Sequence, residues 1–172
     1  MLGSHQLVLS LLIFFSLSKT NFTISMPELL SSIRHKLESC LNKALELEHA
    51  DMGLIRAFDF SSNKLVVVME KGFEKGVPEP FREATPFDSS ACGRAAGLCK
   101  TVVIADVMQD IGLMPYRDVL LHAGLRSIKS VPLIHIDGTL RGILCMICRQ
   151  QRWGWENVIP VDLLGQITAC IV

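Results

Sequence analysis

The sequence lacks an excess of either charge, a disulfide framework, an apolar run of membrane length and every common catalytic signature. Its 17 Lys and Arg are balanced by 17 Asp and Glu. It therefore has no broad positive field of the kind that non-specific nucleic-acid or anionic-membrane binding needs, and nucleic acid is not a partner. Six cysteines among 172 residues are too sparse for a framework of bridges. Most stand in apolar runs, where Cys behaves as a small hydrophobe, which points to a reducing compartment. The apolar run of residues 7–17 falls far short of the ~20 residues a spanning helix requires, so no transmembrane helix is expected. There is no G-x-S-x-G, Walker A loop, H-E-x-x-H or kinase signature, and no catalytic residue or metal ligand is assigned.

The same run, LVLSLLIFFSL, precedes Lys19, and Ser16 and Ser18 give the small-x-small pattern of a cleavage site. Two readings stand for residues 1–25: an export or anchoring segment through residues 7–18, or a cytoplasmic extension with Met26 as the natural start. The segment before the run holds no Lys or Arg, which favours the cytoplasmic reading. Asn21-Phe22-Thr23 is a glycosylation sequon, of consequence only in a secreted eukaryotic protein.

From Ser25 the pattern becomes that of one domain, residues 26–172. Ser25-Met26-Pro27-Glu28 has the form of a capping box with proline in the first turn. Leu29, Leu30, Ile33, Leu37, Cys40, Leu41, Ala44 and Leu47 then recur at helical spacing, which predicts an amphipathic helix to about Glu48. Residues 52–60 and 65–70 read as strands of a hairpin around Ser61-Ser62-Asn63-Lys64. Residues 71–86, broken by Gly72, Gly76, Pro78, Pro80 and Pro86, read as a loop holding at most a short helix. A short helix follows, capped by Asp88 or Ser89 and closed by Gly97 in the left-handed conformation. Then come a brief strand at 101–104, a loop–helix excursion over 105–125 and two strands, 128–136 and 140–149, joined through Asp137-Gly138. A final helix is expected over 161–172. Antiparallel hairpins flanked by helices make the fold class α+β.

Ala50 to Arg56, Lys71-Gly72-Phe73, Asp88 to Ala95 (DSSACGRA), Val102 to Val107 (VVIADV), Ser130-Val131-Pro132-Leu133 and Asp137-Gly138-x-x-x-Gly142 together resemble GAF domains. The look is nearest to those of bacterial sensor histidine kinases. The resemblance implies a PAS-related antiparallel sheet of about six strands, with helices on one face and a ligand pocket on the other, walled by the irregular loop and the excursion. It also implies a sensory or regulatory role in signal transduction, such as a two-component system, with a small-molecule ligand and an output domain such as a kinase as partners, or alternatively a structural dimerisation module that binds no ligand. The cofactor stays unknown at this point. The cyclic-nucleotide signature of the family fails because the chain has no Asp-Glu dipeptide. A weak homodimer through the first and last helices is expected, although Pro160 and Gly165 depart from the family's uninterrupted last helix.

By the resemblance, Ile128, Ser130 and Pro132 on one strand face and Cys145 and Ile147 on the next line the pocket. Met114, Tyr116, Arg117 and Leu121 come from the excursion, with Arg117 placed to meet an anionic ligand. His122 stands in a last helical turn, which it satisfies as a surface group. Cys92 sits one turn inside a helix, where a thiol pKa falls, and is the best candidate for a reactive cysteine. The family's enzymatic branch, the free methionine-(R)-sulfoxide reductases, has a cysteine at this place. Its other key cysteine falls here on Leu121 and its acidic ligand-binding residues fall on Ile128, Cys145 and Ile147, so the reductase reading is disfavoured. Cys145 and Cys148 have C-x-x-C spacing, but three residues apart on a strand they face opposite ways. Trp153-Gly154-Trp155 closes the sheet's end or forms a partner-binding patch.

Overall fold

A computed structural model describes residues 25–155 and 157–171. The leader-like run and the sequon lie outside them. Helix α1 (Met26–Glu48) opens on the capping box: the Ser25 backbone N–H and hydroxyl both donate to the Glu28 carboxylate, at 3.0 and 2.8 Å. It stops at His49, which takes the left-handed conformation (φ 49°). One stripe, including Leu37, Cys40, Leu41, Ala44 and Leu45, is buried, each leucine contributing about 1.5–3 kcal/mol.

Six strands follow: β1 (Met52–Asp59), β2 (Lys64–Lys71), β3 (Glu83–Ala84), β4 (Val102–Ile104), β5 (Ser127–Ile134) and β6 (Leu140–Cys148). They form one antiparallel sheet in the order β3-β2-β1-β6-β5-β4. The two-residue β3 is the strand that sequence reasoning missed, because prolines on both sides hide its period. Between the strands lie α2 (Ala91–Leu98), α3 (Arg117–His122) and two 3-10 turns, Glu79–Phe81 and Met114–Tyr116; α4 (Val161–Cys170) ends the described chain.

The strand period of two divides the core into two layers. Ile55, Ala57, Val131, Leu133, Leu144 and Met146 face α1 and α4, where Leu163 and Ile167 meet them. Met52, Leu54, Ile128, Ile143, Cys145 and Ile147 face the other way, toward α2, the 71–86 segment and the excursion. On the helix side, the Lys129 ammonium pairs with buried Glu48 at 2.5 Å and also donates to the Asn157 carbonyl at 2.7 Å. This ties the end of α1 to β5 and to the segment that leads into α4.

Two local expectations change. The cap of α2 is Ser90, whose hydroxyl accepts from the Gly93 N–H at 3.0 Å, while Asp88 braces it by accepting from the Ser90 N–H at 2.8 Å. The left-handed residue that closes α2 is Cys99 (φ 48°), not Gly97. Gly97 instead lies inside the helix, where a Cβ would stand 2.4 Å from the Phe87 ring. The aromatic pair also divides: Trp155 packs on the helix-side core under Arg152, 4.6 Å from its ring centre, whereas Trp153 is exposed.

Candidate ligand cavity

On β1 the alternation that sends Ile55 and Ala57 to the helices turns Leu54 and Arg56 to the opposite face. There they meet Cys145 and Ile147 of β6, Ile128 of β5 and, from above, Ala91 and Cys92 of α2. Phe73, Val77, Pro78 and Phe81 of the 71–86 segment and Leu113, Leu120 and Leu125 of the excursion complete the wall. They enclose a cavity of about 30 Å³. That is close to the ~30 Å³ that one water occupies in the liquid and far below the ~300–1,000 Å³ of ordinary small-molecule pockets.

The polar residues of the wall are Arg56, Ser90, Cys92 and Cys145, and Ser130 stands behind the two thiols. Arg56 is 2 % exposed. One terminal nitrogen donates to the Leu65 and Arg82 carbonyls at 3.4 and 3.1 Å, and the other donates to the Phe81 carbonyl. Its Nε is buried and has no hydrogen-bond partner among the described residues. No carboxylate among those residues pairs with Arg56, and none lines the cavity. Ser130 stands between two thiols: its hydroxyl lies 3.5 Å from the Cys92 sulfur and donates to the Cys145 sulfur at 3.5 Å. A hydrogen bond from Cys145 holds the Cys92 thiol below its usual value of 9.0; the Arg56 charge and the Ser130 hydroxyl reinforce this against the effect of burial. The Cys145 thiol is pushed up, first by that shared bond with Cys92 and then by burial.

The residues singled out from sequence fall into two groups. Cys92, Ile128, Cys145 and Ile147 line the cavity, with Ser130 bonded to both thiols. Tyr116 packs edge-on against Phe81, ring centres 5.3 Å apart, in the wall. Pro132 lies farther along β5, opposite Ile143. Met114 and Leu121 are exposed, and Leu121 lines an outer groove with His122, Asp118 and Arg149. The His122 ring nitrogen Nδ1 stands 2.6 Å from the Asp118 carbonyl of its own helix, as a helix-end group does. Arg117 is half-buried and is absent from the cavity wall. The cation in the cavity is therefore Arg56, not Arg117. Sequence reasoning missed it, though the signal exists: a single charge at the centre of the apolar strand MGLIRAF, on the same face as Leu54.

Cys145 and Cys148 diverge as the strand period requires, with Cys148 reaching the His49 carbonyl on the helix side. All six cysteines are free, and no cluster of three metal-ligating side chains occurs among the described residues. No described helix is long and apolar enough to cross a membrane.

The fold has solved counterparts. The GAF domain region of a protein from Geobacter sulfurreducens is 17 % identical, with a TM-score of 0.66 over 85 % of this chain and 97 % of that one. An NreA protein of Staphylococcus aureus, mutated in its nitrate-binding site, is 19 % identical, with a TM-score of 0.60 over 77 % and 98 %. Free methionine-R-sulfoxide reductase from Neisseria meningitidis, solved with its substrate, is 18 % identical, with a TM-score of 0.59 over 88 % and 93 %. At these identities the likeness is one of fold. No curated protein matches in sequence. The sequence profile of the GAF domain matches residues 31–169, across both core layers and the cavity between sheet and loops, and the chain belongs to the GAF domain family.

Proposed function

We propose that the chain is a non-catalytic sensory module that responds to a small ligand held between the sheet and the 71–125 region. The observation that carries this reading is the convergence of Arg56, Cys92 and Cys145 on one cavity whose other walls, Ser90 apart, are apolar. A few polar groups set in an apolar lining are the usual make-up of a ligand site. The nitrate-binding site of the S. aureus protein supports reading such a cavity as a place for a small ligand. The size of the cavity favours ligands of a few heavy atoms over nucleotides or haem.

The reductase reading draws support from the Cys92 thiol beside Cys145. Against it, no carboxylate stands in the cavity wall to hold the ammonium of a zwitterionic substrate. A thermal-shift screen of small metabolites and ions is expected to find at least one ligand that raises Tm saturably. In parallel, incubation with free methionine sulfoxide and a thiol reductant is expected to give no turnover. Turnover that disappears in Cys92→Ser would replace the sensory reading with the enzymatic one.

A further inference from the structure

Arg56 carries a charge that no carboxylate among the described residues neutralises. Three backbone carbonyls accept from its terminal nitrogens, but dipoles leave the net charge in place. A buried ion without a counter-ion is strongly destabilising. Those bonds use three of the five guanidinium N–H groups; of the two left over, the one on Nε is buried and reaches no acceptor among the described residues. The groups that face it from the other elements are the Cys92 thiol of α2 and the Cys145 thiol of β6, with Ser130 of β5 joining the two. None of the three is a carboxylate, and only Cys92, lowered to about 6, can take up a negative charge near neutral pH.

We infer that this cavity is a site for a small monoanion of three or four heavy atoms, which takes the free Nε hydrogen of Arg56 and has the Cys92 and Cys145 thiols beside it. The inference rests on the sensory reading and names its ligand class. One charge is the right number: a dianion would leave its second charge buried among leucines and phenylalanines, where it is as costly as the first. A guanidinium N–H suits the lone pairs of an oxyanion better than it suits a neutral ligand. Size sets the upper bound, since a cavity of about 30 Å³ admits a group of this size only with small yielding of its wall. Phe73, Val77 and Pro78 line both the cavity and the outer groove, so side-chain movement there opens one onto the other.

The site also couples the ligand to a thiol. The Arg56 charge favours the thiolate of Cys92, and an anion seated on Arg56 draws on the same charge. Occupancy therefore raises the Cys92 thiol, although its bond with Cys145 still holds it down, and ionisation of Cys92 weakens the anion by the same factor.

The test uses the full chain with sodium nitrate, nitrite and formate, each against sodium sulfate at matched ionic strength. At least one monoanion is expected to raise Tm saturably, by roughly 5 °C, above the sulfate background. Arg56→Met is expected to lose that response. Should Arg56→Met fail to fold, the wild-type protein supplies a second reading. Saturating monoanion is expected to slow iodoacetamide labelling of Cys92 several-fold near neutral pH, leaving exposed Cys99 as the unaffected control in the same peptide map. A purely structural arginine would change neither rate. Equal shifts with every salt, a saturable shift that survives in folded Arg56→Met, or a Cys92 rate indifferent to the anions would each overturn the inference. If neutral ligands raise Tm while monoanions do not, the anion site falls and the sensory reading stands; if nothing raises it, both fall.

Discussion

Single residues divide between those that hold the cavity's frame and those that face into it. Asp106, from the VVIADV segment, belongs to the frame. It is 5 % exposed and takes both arms of Arg126, at 2.7 and 3.0 Å, with the Met108 N–H at 2.9 Å. This bidentate pair fastens the entry of the excursion to the start of β5, beside the bond from the Val107 N–H to the Arg126 carbonyl. The Arg126 hydrogen bond is the chief reason that the carboxyl lies below its ordinary 3.8. A depressed folded value means that the stabilisation is fully present above pH 3.8 and is lost as pH falls through the folded value. Asp106→Asn is therefore expected to cost about 1–3 kcal/mol near neutral pH, the cost of a charged hydrogen-bond partner. Its deficit against wild type should shrink at pH about 3. Urea unfolding at both pH values checks this, and a deficit of equal size at each would show that the charge of Asp106 is not its source.

At the scale of elements, the motif glycines mark where two backbones approach closely. A Cβ on Gly142 of β6 would stand 2.0 Å from the Arg56 carbonyl of β1 and 2.7 Å from Ile171 just past α4. The carbonyl cannot yield without parting the two central strands, so Gly142→Ala is expected to destabilise by about 3 kcal/mol and to lower Tm by roughly 10 °C. Gly165, inside α4, has nothing within 4 Å of its Cβ position. Gly165→Ala is expected to stabilise by about 0.5–1 kcal/mol through helix propensity alone. Calorimetry on the pair reads both signs, and a neutral Gly142→Ala would discredit the close approach. These elements also show what was legible beforehand. Periodicity and turn chemistry gave α1 with its capping box and the Asp137-Gly138 hairpin, because those signals are local. The two-residue β3 exists only through its pairing with β2, whereas the Ser90 cap is local but was hidden among three adjacent cap-forming residues, Asp88, Ser89 and Ser90, and Gly97 masked Cys99 as the left-handed stop. The cavity was half legible: strand alternation named Cys145, Ile147 and Ile128, and the same alternation would have named Arg56 had the lone charge in β1 been followed onto its face. Arg117 was taken instead because the excursion resembles a pocket wall, whereas the cavity draws only on the apolar residues of that segment.

For the whole molecule, the question is how an event at Arg56 leaves the cavity. The sheet is the shared wall of both layers, and β1 shows Arg56 to one side and Ile55 and Ala57 to the other. At Gly142 the Arg56 backbone, β6 and the end of the last helix come within the space of one methyl group. Were the proposed anion to shift Arg56, it would press on Ile171 through close-packed atoms, the kind of contact that transmits strain. The helix layer offers a surface to receive it: Leu30 and Leu47 on α1 are 51 % and 43 % exposed, and Val158 and Val161 at the start of α4 are 85 % and 82 % exposed. Apolar side chains left in water on the two helices beside one another favour self-association, and because they are few the dimer is expected to be weak. Sedimentation equilibrium over a range of concentrations should show reversible dimerisation. Leu47→Glu and Val161→Glu should return the protein to a monomer without loss of Tm, since neither side chain is in the core. A mass that stays monomeric at every concentration, or a dimer indifferent to both substitutions, would move self-association away from the helix layer and leave the strain from Arg56 with no interface there to act upon.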